Sequence, residues 1–307
     1  MFGLGTGETV LFVIALFAAT VNGALGYGFS SMTVPVALLF FPNKVLSPAL
    51  VLIELAINAI VVVMNRQSLS GTWRRTIPIL AGLLPGVLVG SYLLSTVNPG
   101  PLKFCTFVVI LPLILMQAAG YRRPIRAERA AGVPLGVGVG VLYSTTTISG
   151  PPLALMLNNQ GVNKEEFRAA LGTVRIAETV LTTITYAALG LFSAKSVRLL
   201  APITPAVLLG LPLGAFLVRR IPTETFRRIC MSFDAWIVGF GLCRSTMELK
   251  LLSSTGAYSV WTAVIAFDLY LLYGYFVTGR FSHRHPTVSD AEEPAPAGHL
   301  ELSPELD

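Results

Sequence analysis

Charged residues are scarce in this chain of 307 amino acids. Asp, Glu, Lys and Arg make up 12% of it, whereas soluble proteins average about 25%. The three histidines, His283, His285 and His299, follow the last apolar run, and the three cysteines lack metal-ligand spacing. P-loop, HExxH, CxxC and GxSxG motifs are missing. These absences argue against an enzyme, a bound metal or cofactor, and ATP-driven transport.

Long apolar runs are what the chain has instead. Hydrophobic residues make up 53% of the sequence, and runs long enough to cross a hydrocarbon core of about 30 Å are recurrent. Their approximate bounds are 8–27, 45–64, 76–95, 102–119, 132–157, 169–191, 199–218, 226–243 and 257–277. We therefore predict an all-α polytopic membrane protein. The net charge of +6 lies in short loops between these runs, so it does not predict nucleic-acid binding.

The first and second halves of the sequence resemble each other. A shift of 124 residues aligns Glu54 with Glu178, because 178 − 54 = 124. The same shift aligns Arg74 with Arg198, Pro78 with Pro202, Gly86 with Gly210, and Gly90 with Gly214. Internal repeats are common in secondary transporters. Two of the matches form G-x-x-x-G pairs, which are typical of close helix packing.

The repeat divides the chain into five parts. We predict a first transmembrane repeat at 8–119, a polar linker at 120–131 and a second repeat at 132–243. An extra transmembrane helix at 257–277 and a disordered polar tail at 281–307 follow. The predicted fold is thus two homologous four-helix repeats (4+4) plus a ninth C-terminal transmembrane helix.

The relative orientation of the two halves depends on one element. If all four runs of a half cross the bilayer, the halves are parallel repeats, but if the glycine-rich element enters and leaves on one side, they are inverted. Lys and Arg number eleven on the side of the linker and ten on the other. The positive-inside rule therefore does not decide which side faces the cytoplasm.

A glycine-rich element occurs in each half, with the sequences GALGYGFSSMTVP at 23–35 and YSTTTISGPP at 143–152. Glycine and proline leave backbone groups without helical partners, which hydrocarbon does not tolerate. We therefore expect the two elements to form one site for a small oxyanion, using hydroxyl and backbone donors. The candidate substrate-binding residues are Gly26, Gly28, Ser30, Ser31, Thr33, Pro35, Ser144, Thr145, Thr146, Thr147, Ser149, Gly150, Pro151 and Arg175. The alternative for each hydroxyl is a hydrogen bond to its own helix.

Several ionisable residues lie inside the apolar runs, where each needs a partner or a purpose. Arg175 either pairs with Glu178, three residues away on the same helix, or meets the anionic substrate. Glu54 and Glu178 are candidates for carrying a coupling proton, with hydrogen bonds between helices as the alternative. We expect Asp234 and Asp268, which have no charged counterparts in the other half, to have structural roles or to lie at helix ends.

These motifs resemble the sulfite exporter TauE/SafE family, also called the toluene sulfonate uptake permease family. The resemblance is carried by the two glycine-rich elements and by GPPLALMLNNQGVNKEEFRAAL at 150–171, and it covers nearly all of 8–243. It implies a multi-pass permease of the bacterial inner (cell) membrane that moves sulfur-containing or other small organic anions by a secondary mechanism. Phe29, Ser30 and Ser31 and the threonines at 145–147 replace glycines that are frequent in the family.

The leading hypothesis is a secondary-active permease that exports sulfite, an organosulfonate or a related small anion, with a proton as coupling ion. Its partners are the anionic substrate and the lipid bilayer; the sequence predicts no cofactor and assigns no oligomeric state. The alternatives are a permease for another small anion, such as a carboxylate, and a membrane scaffold or assembly protein without transport activity.

Overall fold

A computed structural model describes residues 5–64, 69–119, 128–158, 164–217, 220 and 223–277. Every regular element in these residues is a helix. The bounds are α1 Thr6–Leu25, α2 Phe29–Ala37, α3 Asn43–Met64, α4 Leu69–Thr96, α5 Pro99–Ala118, α6 Glu128–Thr146, α7 Gly150–Asn158, α8 Lys164–Ala188, α9 Ala194–Arg198, α10 Leu200–Leu217, α11 Thr223–Glu248 and α12 Ser254–Phe276. The predicted all-α class is confirmed.

Five stretches among the described residues are long and apolar enough to cross a membrane. They are Thr6–Leu25, Asn43–Val63, Thr76–Thr96, Ala194–Leu217 and Ser254–Gly274. The count of nine spans and the 4+4+1 arrangement remain predictions. Most of the predicted linker, 120–127, and the predicted tail, 281–307, lie outside the described residues, and 128–131 begin α6.

The first glycine-rich element breaks the chain between α1 and α2. Gly26 ends α1 in the left-handed region at φ 84°, and its N–H donates to the Asn22 carbonyl at 2.7 Å. Gly28 precedes α2 at φ 106°, a conformation that costs glycine no steric clash. After α2, Phe40 and Phe41 lie against Gly7 near the start of α1. The α1–α2 pair therefore returns the chain to the side on which it began.

The second glycine-rich element breaks the chain between α6 and α7 in a related way. Thr147 follows α6 at φ 61°, and its N–H donates to the Tyr143 carbonyl at 2.5 Å. A β-branched residue rarely adopts this left-handed conformation. The break thus forms here with a threonine in the position where glycine has the lower conformational cost.

Glycines let two pairs of helices approach each other with backbones in contact. Gly210 and Gly214 of α10 lie on α1, and Gly86 and Gly90 of α4 lie on α6. A Cβ atom at Gly214 would overlap the Thr20 carbonyl. The predicted packing role of both G-x-x-x-G pairs is therefore confirmed. Chain positions increase in the same direction along both contacts, so α1 runs parallel to α10 and α4 runs parallel to α6.

Helices α3 and α8 cross at the centre of the molecule in antiparallel orientation. Gly172 of α8 lies against Val61 and Val62 of α3, and further along Asn58 of α3 donates to Thr179 of α8 at 3.0 Å. This crossing brings together the middle turns of both helices. Those turns carry Glu54 and Arg175, so the fold places the charged residues of both halves at one point.

Helix α12 packs on α11 through a buried carboxylate. Asp268 accepts hydrogen bonds from Ser232 Oγ at 3.1 Å and from Trp236 Nε1 at 2.9 Å. Trp261 of α12 donates to the Trp236 carbonyl at 3.0 Å. The hydrogen bonds of Asp268 agree with the structural role expected for this residue.

Candidate functional site

The two glycine-rich elements lie against each other in the interior. Gly150, the first residue of α7, contacts the ring and Cβ of Tyr27 and approaches the Gly28 nitrogen, since a Cβ at Gly150 would lie 3.8 Å from that atom. Tyr27, Gly28 and Gly150 are all buried. The turns that start α2 and α7 therefore meet in the buried interior, between the two halves of the chain.

A buried ion pair joins the two halves beside this contact. Arg175 Nη2 on α8 donates to Glu54 Oε1 on α3 at 2.7 Å, with 3% of the Arg175 side chain and none of the Glu54 side chain exposed. Ser30 Oγ of α2 donates to the same carboxylate oxygen at 2.7 Å. Arg175 Nη1 also lies 3.5 Å from Asn22 Oδ1 of α1. Four helices thus converge on one guanidinium–carboxylate pair.

Glu178 occupies the matching place in the second half. Its Oε2 accepts a hydrogen bond from Ser149 Oγ at 2.8 Å, and its side chain is fully buried. Each glutamate therefore accepts a hydrogen bond from a serine of the glycine-rich element in its own half. Arg175 bonds to Glu54 on the other half, so the alternative in which it pairs with Glu178 on its own helix is wrong.

Three further polar residues support the pair. Thr179 Oγ1 donates to the Arg175 carbonyl and accepts from Asn58 Nδ2 at 3.0 Å. Tyr143 OH donates to Thr179 Oγ1 at 3.4 Å. These bonds connect α3, α6 and α8 one turn away from Arg175. Sequence reasoning missed these residues and Asn22, although a polar side chain inside an apolar run was a signal that was present for all of them.

Most hydroxyls of the two elements bond to their own helix. Ser144, Thr145 and Thr146 donate to carbonyls four residues earlier, at 2.6 to 2.8 Å. Ser31 Oγ donates to the Gly28 carbonyl at 3.1 Å, and Thr147 Oγ1 to the Thr146 carbonyl at 2.6 Å. The intrahelical alternative thus describes these side chains in this conformation.

The remaining members of the predicted site differ in their surroundings. Ser30 and Ser149 donate to carboxylates of other helices. Pro35 and Pro151 are buried beside them in α2 and α7, and Gly26 is half-buried at the end of α1. Thr33 is fully buried, and its hydroxyl has no hydrogen-bond partner among the described residues.

The centre of the site retains unused hydrogen-bonding capacity. Arg175 Nε and Asn22 Nδ2 are buried donors that no acceptor in the described chain satisfies, and Glu54 Oε2 and Glu178 Oε1 are buried acceptors without a donor there. Buried polar atoms of this kind are uncommon in folded proteins. The donors are suited to an oxyanion, and the acceptors to a proton.

The N-termini of α2 and α7 add a favourable field. Both helices have nine residues and begin at the contact between the two elements. The first N–H groups of a helix have no intrahelical partner, and this end carries partial positive charge. Two such ends beside one guanidinium make the region suitable for a negatively charged solute.

One cavity reaches the second element from the side of the bundle. It has a volume of about 740 Å³, lies between α4, α5 and α6, and includes Thr145 and Pro152 in its lining. Its other lining residues are mainly apolar, including Leu93, Val109 and Leu142. This cavity borders the site without including the Arg175–Glu54 pair.

Comparison with known proteins agrees with these observations. The family model described as Sulfite exporter TauE/SafE matches residues 11–239. That interval contains both glycine-rich elements, both glutamates and Arg175. No curated protein and no solved structure shows significant similarity to the chain. The family match spans most of the chain, and the chain therefore belongs to the TauE/SafE sulfite exporter family.

Proposed function

We propose that the protein is a secondary-active permease for a small sulfur-containing anion, such as sulfite or an organosulfonate, in a bacterial inner membrane. The observation that carries this proposal is the buried Arg175–Glu54 pair at the junction of the two glycine-rich elements. Membership of the TauE/SafE family supports the substrate class. An anion of this kind offers several oxygens, and a planar guanidinium binds two oxygens at once.

In the proposed cycle, the substrate and Glu54 compete for Arg175. In the present conformation, Glu54 Oε1 accepts a hydrogen bond from Arg175 Nη2 at 2.7 Å. A proton on Glu54 removes its negative charge, so Arg175 becomes available to the anion. Arg175 Nε and Asn22 Nδ2, which lack partners in the described chain, become donors to the substrate. Anion and proton then bind together, because each stabilises the state that accepts the other.

Glu178 has a second part in this proposal. It lies on the same helix as Arg175 and bonds only to Ser149 among the described hydrogen bonds. When Glu54 is neutral and the anion is bound, Glu178 is the remaining acceptor in the centre. We therefore propose that a proton reaches Glu178 when Ser149 and α7 move, which gives each half one carboxyl group that responds to the opening of its own glycine-rich element.

We further propose that the two halves are inverted repeats. Support comes from the return of the α1–α2 pair to Gly7, which leaves α3, α4 and α5 as an odd number of crossings. The parallel contacts of α1 with α10 and of α4 with α6 fit the same arrangement. In such transporters the substrate binds where the repeats meet, and rocking of one repeat against the other exposes it to alternate sides.

Transport in proteoliposomes tests the proposed function. Purified protein is reconstituted, and the flux of labelled sulfite, an alkylsulfonate and a small carboxylate is measured with and without a pH gradient. We expect saturable flux of a sulfur oxyanion that Arg175→Ala abolishes, while Lys103→Met, which breaks the ion pair with the partly exposed Glu248, retains it. Flux of the carboxylate alone identifies the other anion as substrate. Absence of flux for all three favours the scaffold alternative and contradicts the proposal.

A further inference from the structure

Asp234 is a buried carboxyl group that the proposed cycle does not use. It lies within α11, and none of its surface is exposed. Neither carboxyl oxygen has a hydrogen-bond partner of normal geometry in the described chain. Its neighbour across the helix contact is Ser31 of α2. Asp268, the buried carboxyl on α12, accepts two hydrogen bonds, so the two groups have different surroundings.

Among the described residues, the groups that face Asp234 provide no positive charge. The buried Arg228 lies six residues earlier on α11, which places it on a different face of the helix. Cys230 lies one turn away on α11, and α2 contributes Ser31. From α1, the Phe17 ring packs on Phe233 beside it. On α12, Asp268 is bonded to Ser232 and Trp236.

The described cation on α5 is distant. Lys103 bonds to Glu248, fourteen residues further along α11, at 3.2 Å. An ionised carboxylate in such a place lacks a counter-ion among the described residues and has only the Ser31 hydroxyl beside it, which makes ionisation unfavourable. The contact of α2 with α11 therefore favours the neutral form of Asp234 over the ionised form.

Helix α2 links this carboxyl group to the site. Ser31 faces Asp234, and the preceding residue, Ser30, donates to Glu54 at 2.7 Å. When Asp234 loses its proton, water must reach the carboxylate, and α2 must separate from α11 to admit it. That movement withdraws Ser30 from Glu54. The position equivalent to Asp234 in the first half is Ile110, because 234 − 124 = 110, so this arrangement is specific to the first glycine-rich element.

We propose that Asp234 is a positioning residue whose protonation is coupled to the docking of α2 on α11; this inference rests on the proposed function. Release of the proton and opening of the first glycine-rich element are then one event. Asp234 thereby provides a proton-binding group in addition to Glu54 and Glu178, and it contacts a different residue of α2 from Glu54.

Hydrogen–deuterium exchange of the full-length protein tests this inference without requiring transport. Exchange of residues 29–37 is followed by mass spectrometry from acidic to alkaline pH and corrected for the intrinsic pH dependence of amide exchange. We expect protection of α2 to fall as pH rises in the wild type, and to stay constant in Asp234→Asn, which is neutral at every pH. Asp268→Asn is the matched control, and its α2 should respond to pH as in the wild type.

Two results overturn the inference. One is pH-independent protection of α2 in the wild type, and the other is an unchanged pH response in Asp234→Asn. If Asp234→Asn does not fold, Asp234→Glu decides, because it keeps a titratable group and should shift the midpoint of the response. An unshifted midpoint in Asp234→Glu also contradicts the inference.

A transport measurement separates this inference from the proposed function. Asp234→Asn should exchange labelled sulfite across the membrane at equal concentrations like the wild type, but accumulate less of it in a pH gradient. Accumulation equal to that of the wild type contradicts a coupling role. If the wild type transports no sulfur oxyanion, the proposed function fails. The hydrogen–deuterium exchange data still decide whether Asp234 controls the docking of α2 on α11.

Discussion

Arg175 of α8 and Glu54 of α3 form an ion pair of 2.7 Å in which both side chains are buried. The two residues come from different halves of the chain and lie 121 positions apart. The pair therefore connects the two halves and also places charged groups in the site. Because each partner has unused hydrogen-bonding atoms, the pair is able to exchange its internal partner for a ligand.

The stability of the pair is the subject of the first prediction. Glu54→Leu leaves a buried guanidinium without its counter-ion, and we expect it to destabilise the protein by about 3–5 kcal/mol. The double variant Glu54→Leu/Arg175→Met should recover most of this loss. Thermal unfolding in detergent provides the measurement. Lys103→Met, which breaks a partly exposed pair, is the control and should cost about 1 kcal/mol or less. Equal losses of stability in Glu54→Leu and Lys103→Met would contradict a stabilising role of the Arg175–Glu54 pair.

Competition for Arg175 leads to the second prediction. In Glu54→Gln the carboxylate no longer opposes the anion, so sulfite should raise the melting temperature of this variant more than that of the wild type. Sulfite should also bind more tightly to Glu54→Gln than to the wild type at the same pH, because the Glu54 carboxylate no longer holds the guanidinium. Titration calorimetry measures the affinity of both proteins. Equal affinities would show that Glu54 does not compete.

The third prediction concerns the left-handed residue between α6 and α7. Thr147 has a φ of 61°, and this conformation costs an ordinary L-residue about 1–2 kcal/mol that glycine does not lose. Thr147→Gly should therefore raise the melting temperature, whereas Gly28→Ala, at φ 106°, should lower it. A lower melting temperature for Thr147→Gly would mean that the Thr147 hydroxyl bond outweighs the backbone cost.

The contact of α4 with α6 gives the fourth prediction. A Cβ at Gly136 would overlap the Ile79 carbonyl, while a Cβ at Gly138 would have no atom within 4 Å. Gly136→Ala should cost about 1–3 kcal/mol through overpacking. The matched variant Gly138→Ala should be neutral or slightly stabilising, since alanine favours helices. Thermal unfolding of both variants checks the contact, and equal stability of the two would argue against it.

Periodicity and composition predicted the helices because a 20-residue apolar run has few other solutions in a membrane. They also located the breaks at the glycine-rich elements, since Gly26 and Gly28 adopt the left-handed conformation that other residues avoid. They failed at Arg175, whose neighbour on the same helix, Glu178, is three residues away. Sequence spacing describes contacts within a helix, whereas the partner of Arg175 lies on another helix.

The sequence by itself determined the membrane class and the two glycine-rich breaks, because these depend on local composition. It also determined the matching positions of Glu54 and Glu178, because these follow from comparison of the chain with itself. Only the tertiary structure decided that Arg175 bonds to Glu54, that Asn22 joins them and that Asp234 faces no counter-ion among the described residues. These relationships depend on how α1, α2, α3, α8 and α11 pack, and the face that each helix presents to its neighbours follows from the fit of the whole bundle.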